Sequence, residues 1–217
     1  MSGDTITVLI SGRGSNLAAL LSAMRGGTLK GTITHVIADR PDIAGLAVAR
    51  EHGVATTVVD HRAHASRAAF DAKLTAAVAA AAPDLVVLAG FMRVLGSDIV
   101  AHYTGRMINV HPSLLPRYPG LNTHRRALAD GVRVHGCTVH FVTPAVDAGP
   151  IIAQGAVAVL DDDDEETLAA RVLAVEHRLL PAVVGWFCVG RLVLDGKRAR
   201  VLETVAAAPQ SLLVPAA

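Results

Sequence analysis

Four short runs of branched apolar residues, at positions 5–10, 33–38, 55–59 and 85–89, alternate with stretches whose apolar residues recur at helical spacing. Strands joined by helical crossovers pair in parallel, and a parallel sheet has to be covered on both faces. The run Leu85-Val86-Val87-Leu88-Ala89 has no polar position, as a strand buried on both sides requires. This alternation confines roughly residues 1–105 to an α/β layer architecture. Helices are expected over 17–24, ended by Gly26-Gly27, over 43–52, ended by Gly53, and from Ser66 as a cap to Pro83.

Beyond about residue 106 the pattern changes. Residues 107–110 read as a fifth strand. The β-rich runs 134–143 and 151–159 are separated only by 144–150, too short for a helical crossover, so these two strands are expected to be antiparallel. A last amphipathic helix is expected over 167–189, interrupted at Pro181, and a short strand over 192–194. With no repeat and no linker-like stretch, the chain reads as a single domain over 1–205 with a mixed, mostly parallel sheet. An Ala/Pro-rich, loose tail follows over 206–217.

The charge pattern restricts the partners. A formal net charge of +1 among 217 residues, with 18% charged and 3% aromatic, offers neither a basic surface nor stacking platforms for nucleic acid. Cys137 and Cys188 lack metal-ligand spacing, which points to a reducing compartment. The N-terminus does not read as a secretory signal, and no apolar run reaches the ~18 residues of a membrane span. A cytoplasmic protein acting on small molecules, without nucleic acid, membrane or metal and as a monomer or homodimer, is the expectation.

Three stretches carry chemistry. In Ile108-Asn109-Val110-His111-Pro112, the amide of Asn109 and the ring of His111 are two residues apart on a strand and point the same way, and Pro112 ends that strand. An amide donor beside a titratable ring suits a developing oxyanion, although a lone core histidine is the commoner use of such a position. Gly12-Arg13-Gly14-Ser15-Asn16-Leu17 lies between a first strand and a helix, where unpaired N–H groups favour an anion. Leu17 replaces the third glycine of a dinucleotide loop, so a single phosphate fits better than a pyrophosphate, although Asp39, at the end of the second strand, could still imitate the ribose-binding acid. The plain alternative is a tight turn in which Ser15 or Asn16 caps the helix. Ala89-Gly90-Phe91-Met92-Arg93 follows the fourth strand, at the edge where open α/β sheets bind ligands.

Asp147, in an otherwise uncharged turn, is either turn chemistry or a carboxylate that holds His111 and favours its charged form. The acidic run 161–166 reads as a helix start, since acids there meet the helix dipole. His135 and His140 are an odd number of strand positions apart, face opposite sides, and so cannot share a metal.

Taken together, the segments 10–17, 88–93, 108–116, 135–142 and 147–152 resemble the phosphoribosylglycinamide formyltransferase family in order and spacing. The resemblance runs from about residue 6 to about residue 195. The Asn-x-His-Pro-Ser-Leu-Leu-Pro run is common to formyl-folate enzymes of this fold, whereas Ser-Gly-x-Gly-Ser-Asn-Leu is particular to the glycinamide ribonucleotide enzymes. The resemblance implies a Rossmann-like formyltransferase fold with helices on both faces. A phosphoribosyl-binding half would span about 1–105 and a catalytic and folate-binding half about 106–205.

It further implies formyl transfer from 10-formyltetrahydrofolate as co-substrate to glycinamide ribonucleotide. Asn109, His111 and Asp147 would be catalytic. Gly14, Ser15, Asn16 and Glu176 would hold the ribonucleotide. Arg67, Met92, Arg93, Val94, Leu95, Asn109, Thr143 and Asp147 would line the folate site. Asn122 and Leu173 depart from the residues some relatives carry, a histidine and a longer polar side chain. The nearest rival, a 10-formyltetrahydrofolate hydrolase, would use the same three catalytic residues. It is disfavoured by the Ser-Gly-x-Gly-Ser-Asn loop and by a first strand that starts at Thr5, leaving no room for the N-terminal regulatory domain such enzymes carry.

Overall fold

A computed structural model describes residues 4–202. Its elements are, in order, β1 (Thr5–Ile10), α1 (Ser15–Arg25), β2 (Thr32–Ala38), α2 (Ala44–Glu51), β3 (Ala55–Val58), a 3₁₀ turn (His61–Ala63), α3 (Arg67–Ala81) and β4 (Leu85–Leu88). Then follow α4 (Ser97–His102), β5 (Met107–His111), α5 (Thr123–Ala129), β6 (Val134–Phe141), β7 (Ile151–Ala158), α6 (Glu165–Cys188) and a hairpin of β8 (Leu192–Asp195) and β9 (Arg198–Val201). The main sheet has seven strands in the order β3-β2-β1-β4-β5-β6-β7. The first five in sequence pair in parallel, and β6 and β7 are antiparallel, as expected from the short 144–150 connection.

Alternation along each strand divides the core between two faces. Val8 and Ile10 pack with Leu17, Leu20, Leu46, Val183 and Val184, from α1, α2 and α6. Leu9, between them, packs on the other face with Phe70, Leu74, Val78 and Ile99, from α3 and α4. A smaller cluster of Cys137, Val157, Leu168 and Val172 seats α6 on the antiparallel strands. Among the described residues, no helix is long and apolar enough to cross a membrane.

The strand order reverses between β1 and β4, and the carboxyl edge at such a switch is where open sheets of this kind bind ligands. The loop after β1 enters α1 through Gly14, which holds φ 78° and would place a Cβ 2.6 Å from the Cα of Gly45. Only glycine suits both demands. Gly14 is therefore the capping position and no side chain caps α1, in place of the Ser15 or Asn16 cap considered from the sequence.

Two other expectations are corrected. α6 runs unbroken through Pro181, because Leu180, Val183 and Val184 on either side are fully buried and hold the axis across the lost hydrogen bond. The strand expected at 192–194 is one arm of a hairpin whose second arm, Arg198–Val201, was not anticipated. The acidic run does start a helix. Asp164 and Thr167 form a capping box, and Asp163 binds Arg171 through both oxygens. The tail expected over 206–217 lies outside the described residues.

A Cβ on Gly136 would lie 2.0 Å from the carbonyl oxygen of Gly155 across the β6–β7 ladder. Gly136→Ala is expected to lower stability by about 3 kcal/mol, through forced separation of the two strands. The urea unfolding midpoint reports this, and an unchanged midpoint would show that the ladder yields freely there.

Candidate active site

Asn109 and His111 project from the same face of β5, at its carboxyl end. Opposite them on β6 stand His140 and Thr138. The Nδ1 of His140 donates to the carbonyl of Phe141 (2.9 Å), and burial lowers the ring's pKa, so the neutral ring presents Nε2 as an acceptor. Asn109 Nδ2 donates to that nitrogen at 3.1 Å. One amide N–H of Asn109 is thereby oriented, and the second is left for another acceptor.

His111 is buried, and its Nε2 donates to the carbonyl of Tyr118 at 2.9 Å. The other nitrogen, Nδ1, stands 3.4 Å from Asp147 Oδ2, while Asp147 Oδ1 is 3.8 Å from His140 Nε2. Asp147 also accepts from the backbone N–H of Gly120 at 2.8 Å. Its backbone has φ 51°, a left-handed conformation that aspartate tolerates and most residues do not. Asp147 thus stands beside His111, and the backbone hydrogen bond that its carboxylate accepts comes from the distant Gly120 instead of from its own turn.

The loop that supplies the Tyr118 carbonyl is stitched to β6. Thr138 Oγ1 donates to the carbonyl of Ser113 (2.7 Å) and accepts from Leu115 N and from Gln154 Nε2. Ser113 Oγ donates to the carbonyl of Arg117 at 2.7 Å, and the Tyr118 hydroxyl donates to Asp130 at 2.9 Å. Sequence reasoning singled out Asn109, His111 and Asp147, which the structure brings together, but missed this support. His140 was considered only as a metal ligand, and its place opposite Asn109 follows from a register that periodicity does not reveal.

At the switch point, Ser11 joins the loops after β1 and β4: its N–H donates to the carbonyl of Gly90, and its hydroxyl accepts from the N–H of Met92 at 2.8 Å. Gly14, Ser15 and Asn16 lie at the start of α1, beside this joint. Asn16 is buried and donates through Nδ2 to Glu176 Oε2 at 2.7 Å, which ties the loop to α6. Burial raises the Glu176 pKa, partly offset by that hydrogen bond, and Asn16 Oδ1 is buried without a hydrogen-bond partner. The two residues proposed from different ends of the chain therefore form one unit.

The segment 92–95 is flanked by Arg67, whose Nη2 donates to the carbonyl of Val94 at 2.7 Å. Met92 and Val94 are exposed, as are Leu121 and Val146 on the loops bearing Gly120 and Asp147, so apolar surface borders the polar group. Leu95 is buried, and Thr143 Oγ1 donates within its own turn to the carbonyl of Ala145. Arg93 turns to Asp39 (3.1 Å). Asp39 does not face a ribose site: its side chain is fully buried among Arg93, His61 and Arg40. Asn122 takes a left-handed conformation (φ 56°) at the start of α5, which asparagine tolerates.

Residues 4–184 match the formyl transferase family model. Phosphoribosylglycinamide formyltransferase of Escherichia coli (strain K12) is 48% identical over 200 residues, spanning 89% of this chain and 94% of that protein. The crystal structure of glycinamide ribonucleotide transformylase 1 from Symbiobacterium toebii superposes with a TM-score of 0.90 at 48% identity, over 93% of this chain and 95% of the other. A formyltetrahydrofolate deformylase from Pseudomonas syringae pv. tomato shares the fold at lower identity, 26%, with a TM-score of 0.86 over 93% of this chain and 66% of that one.

Because burial favours the uncharged carboxyl of Glu176, its stabilisation is complete below the ordinary value of 4.5 and is lost as pH rises through the higher folded value. Glu176→Gln keeps an acceptor for Asn16 and removes the titration. Melting curves taken between about pH 4 and pH 8 should show the variant gaining on the parent as pH rises. Parallel curves would mean that Glu176 does not take up a proton on folding.

Proposed function

The chain belongs to the formyl transferase family, and on that footing we propose that it transfers the formyl group of 10-formyltetrahydrofolate to the amine of N1-(5-phospho-D-ribosyl)glycinamide. The products are the N-formyl ribonucleotide and tetrahydrofolate, a step of purine biosynthesis. The observation that carries this reading is the grouping of Asn109, His111 and His140 on one sheet face with Asp147 from the β6–β7 turn, in a chain whose β1 loop enters α1 through Gly14.

In this reading, Gly14, Ser15 and Asn16 take the ribose 5-phosphate on the N–H groups that open α1. Glu176, held by Asn16, helps place the glycinamide ribonucleotide. Arg67, Met92, Arg93, Val94, Leu95 and Thr143 border the folate, with Asn109 and Asp147 at its reactive end. The exposed apolar side chains of Met92 and Val94 suit the flat rings of such a molecule.

Attack of the amine on the formyl carbon generates a tetrahedral oxyanion. The free N–H of Asn109 is available to it, in an orientation kept by His140. His111 has an acceptor at each nitrogen, the Tyr118 carbonyl and the Asp147 carboxylate, so the arrangement suits a ring protonated at both positions. Such a ring stabilises the oxyanion from the His111 side. Asp147 assists removal of the amine proton and its delivery, through water, to the departing folate nitrogen. No covalent enzyme intermediate is required.

The direct test is turnover of 10-formyltetrahydrofolate, followed by absorbance, with and without the ribonucleotide. Turnover that depends on the ribonucleotide is expected. Equal turnover without it would make the chain a hydrolase, the activity named for the Pseudomonas neighbour. His111→Ala is expected to lower turnover by about 10²- to 10⁴-fold while the ribonucleotide still raises the melting temperature. Near-normal turnover in that variant would remove His111 from the chemistry.

A further inference from the structure

We propose that Tyr118 is a positioning residue for the reaction: its side chain, anchored on α5, holds the backbone segment that sets His111 and Asp147 relative to each other. The inference deepens the proposed function and rests on the roles given there to those two residues. The segment 118–120 touches both of them. The carbonyl of Tyr118 accepts from His111 Nε2 at 2.9 Å. The N–H of Gly120 donates to Asp147 Oδ2 at 2.8 Å, and that same oxygen stands 3.4 Å from His111 Nδ1. Displacing this segment would disturb the imidazole at one end and the carboxylate at the other.

Tyr118 has φ 56°, a left-handed conformation that crowds a bulky side chain, and a following proline restricts the backbone further. Glycine takes such a φ freely, as Gly120 does at 76°. A tyrosine kept there points to its side chain as the holding group, and three contacts fix that side chain. The hydroxyl donates to Asp130 Oδ2 at 2.9 Å, the Arg126 guanidinium lies over the ring at 5.3 Å, and His135 meets the ring edge to face at 5.8 Å. Asp130 caps α5 and Arg126 lies in its last turn, so two of the three grips come from one helix. Arg126 Nη1 also donates to the carbonyl of Pro119 at 2.6 Å, between Tyr118 and Gly120. Burial, with the Asp130 carboxylate beside it, raises the pKa of the phenol, so the hydroxyl remains a donor. Burial pushes His135 down to about 4, so it packs there as a neutral ring. The Tyr118 hydroxyl bonds to Asp130 and not to His111 or Asp147, so its influence on those two passes through the backbone.

The test measures kcat and both KM values in Tyr118→Phe, which removes only the hydroxyl. The expected result is a kcat about tenfold lower, with each KM within about twofold of the parent. Asp130→Ala should lower kcat to the same extent, whereas Asp130→Asn, which keeps an oxygen to accept from Tyr118, should stay within about twofold of the parent. Added to His111→Ala, Tyr118→Phe should change the residual turnover by no more than about twofold, because the group it positions is gone. Should Tyr118→Phe not fold, the two Asp130 variants carry the same comparison. An unchanged kcat, equal losses in Asp130→Asn and Asp130→Ala, or an undiminished loss in the His111→Ala background would overturn the role of Tyr118. Parent turnover that ignores the ribonucleotide would instead overturn the proposed function, and the same ratios, measured on that hydrolysis, would still decide whether Tyr118 positions the pair.

Discussion

Where β6 runs antiparallel to β5, His140 falls opposite Asn109 and Thr138 opposite His111, and the rest of the site depends on that pairing. Cross-strand neighbours on one face are close enough for side chains to bond directly. His140 can therefore fix the amide of Asn109, while Thr138 anchors the 113–115 backbone that leads to Tyr118. The Tyr118 carbonyl then holds one nitrogen of His111, and the turn between β6 and β7 brings Asp147 to the other. A slip of one residue in this register would turn His140 and Thr138 to the opposite face and leave Asn109 and the loop unsupported.

Of the parallel strands, β5 carries Asn109 and His111, while β1, β2 and β4 set the positions of the loops that follow them. β4 is apolar and buried along its whole length, and the polar groups that join the loops lie where the chain leaves the sheet, at the carboxyl ends of β1, β2 and β4. Ser11 ties the loop after β1 to that after β4, and Asn16 ties the same loop to Glu176 on α6. The loop after β1 thus has a fixed position relative to the 92–95 segment and to the long helix. That fixity matters because reacting groups held in place avoid an entropic penalty on reaching the transition state.

The β-α alternation, the antiparallel turn at 144–150 and the helix start at Asp164 were legible in the chain because each rests on local physics: side-chain period, loop length and capping. The catalytic candidates were legible for a similar reason. Asn109 and His111 are separated by one strand repeat, and Asp147 is a charge in an apolar turn. Pro181 misled because a local rule, the missing N–H, was outweighed by burial of Leu180, Val183 and Val184 on either side of it. Ser15 and Asn16 looked like caps for want of one distance, the close approach of Gly14 to Gly45, which admits only glycine.

By itself, then, the sequence determined the layer architecture, the sites where strands end, and the residue types present at those ends. Tertiary structure decided which of those groups meet. Asp147 with His111, Asn16 with Glu176 and Asp39 with Arg93 are pairs separated by 36, 160 and 54 positions. No periodicity reaches across such intervals. Strand register and helix packing set those distances, through the burial of apolar side chains remote from the site.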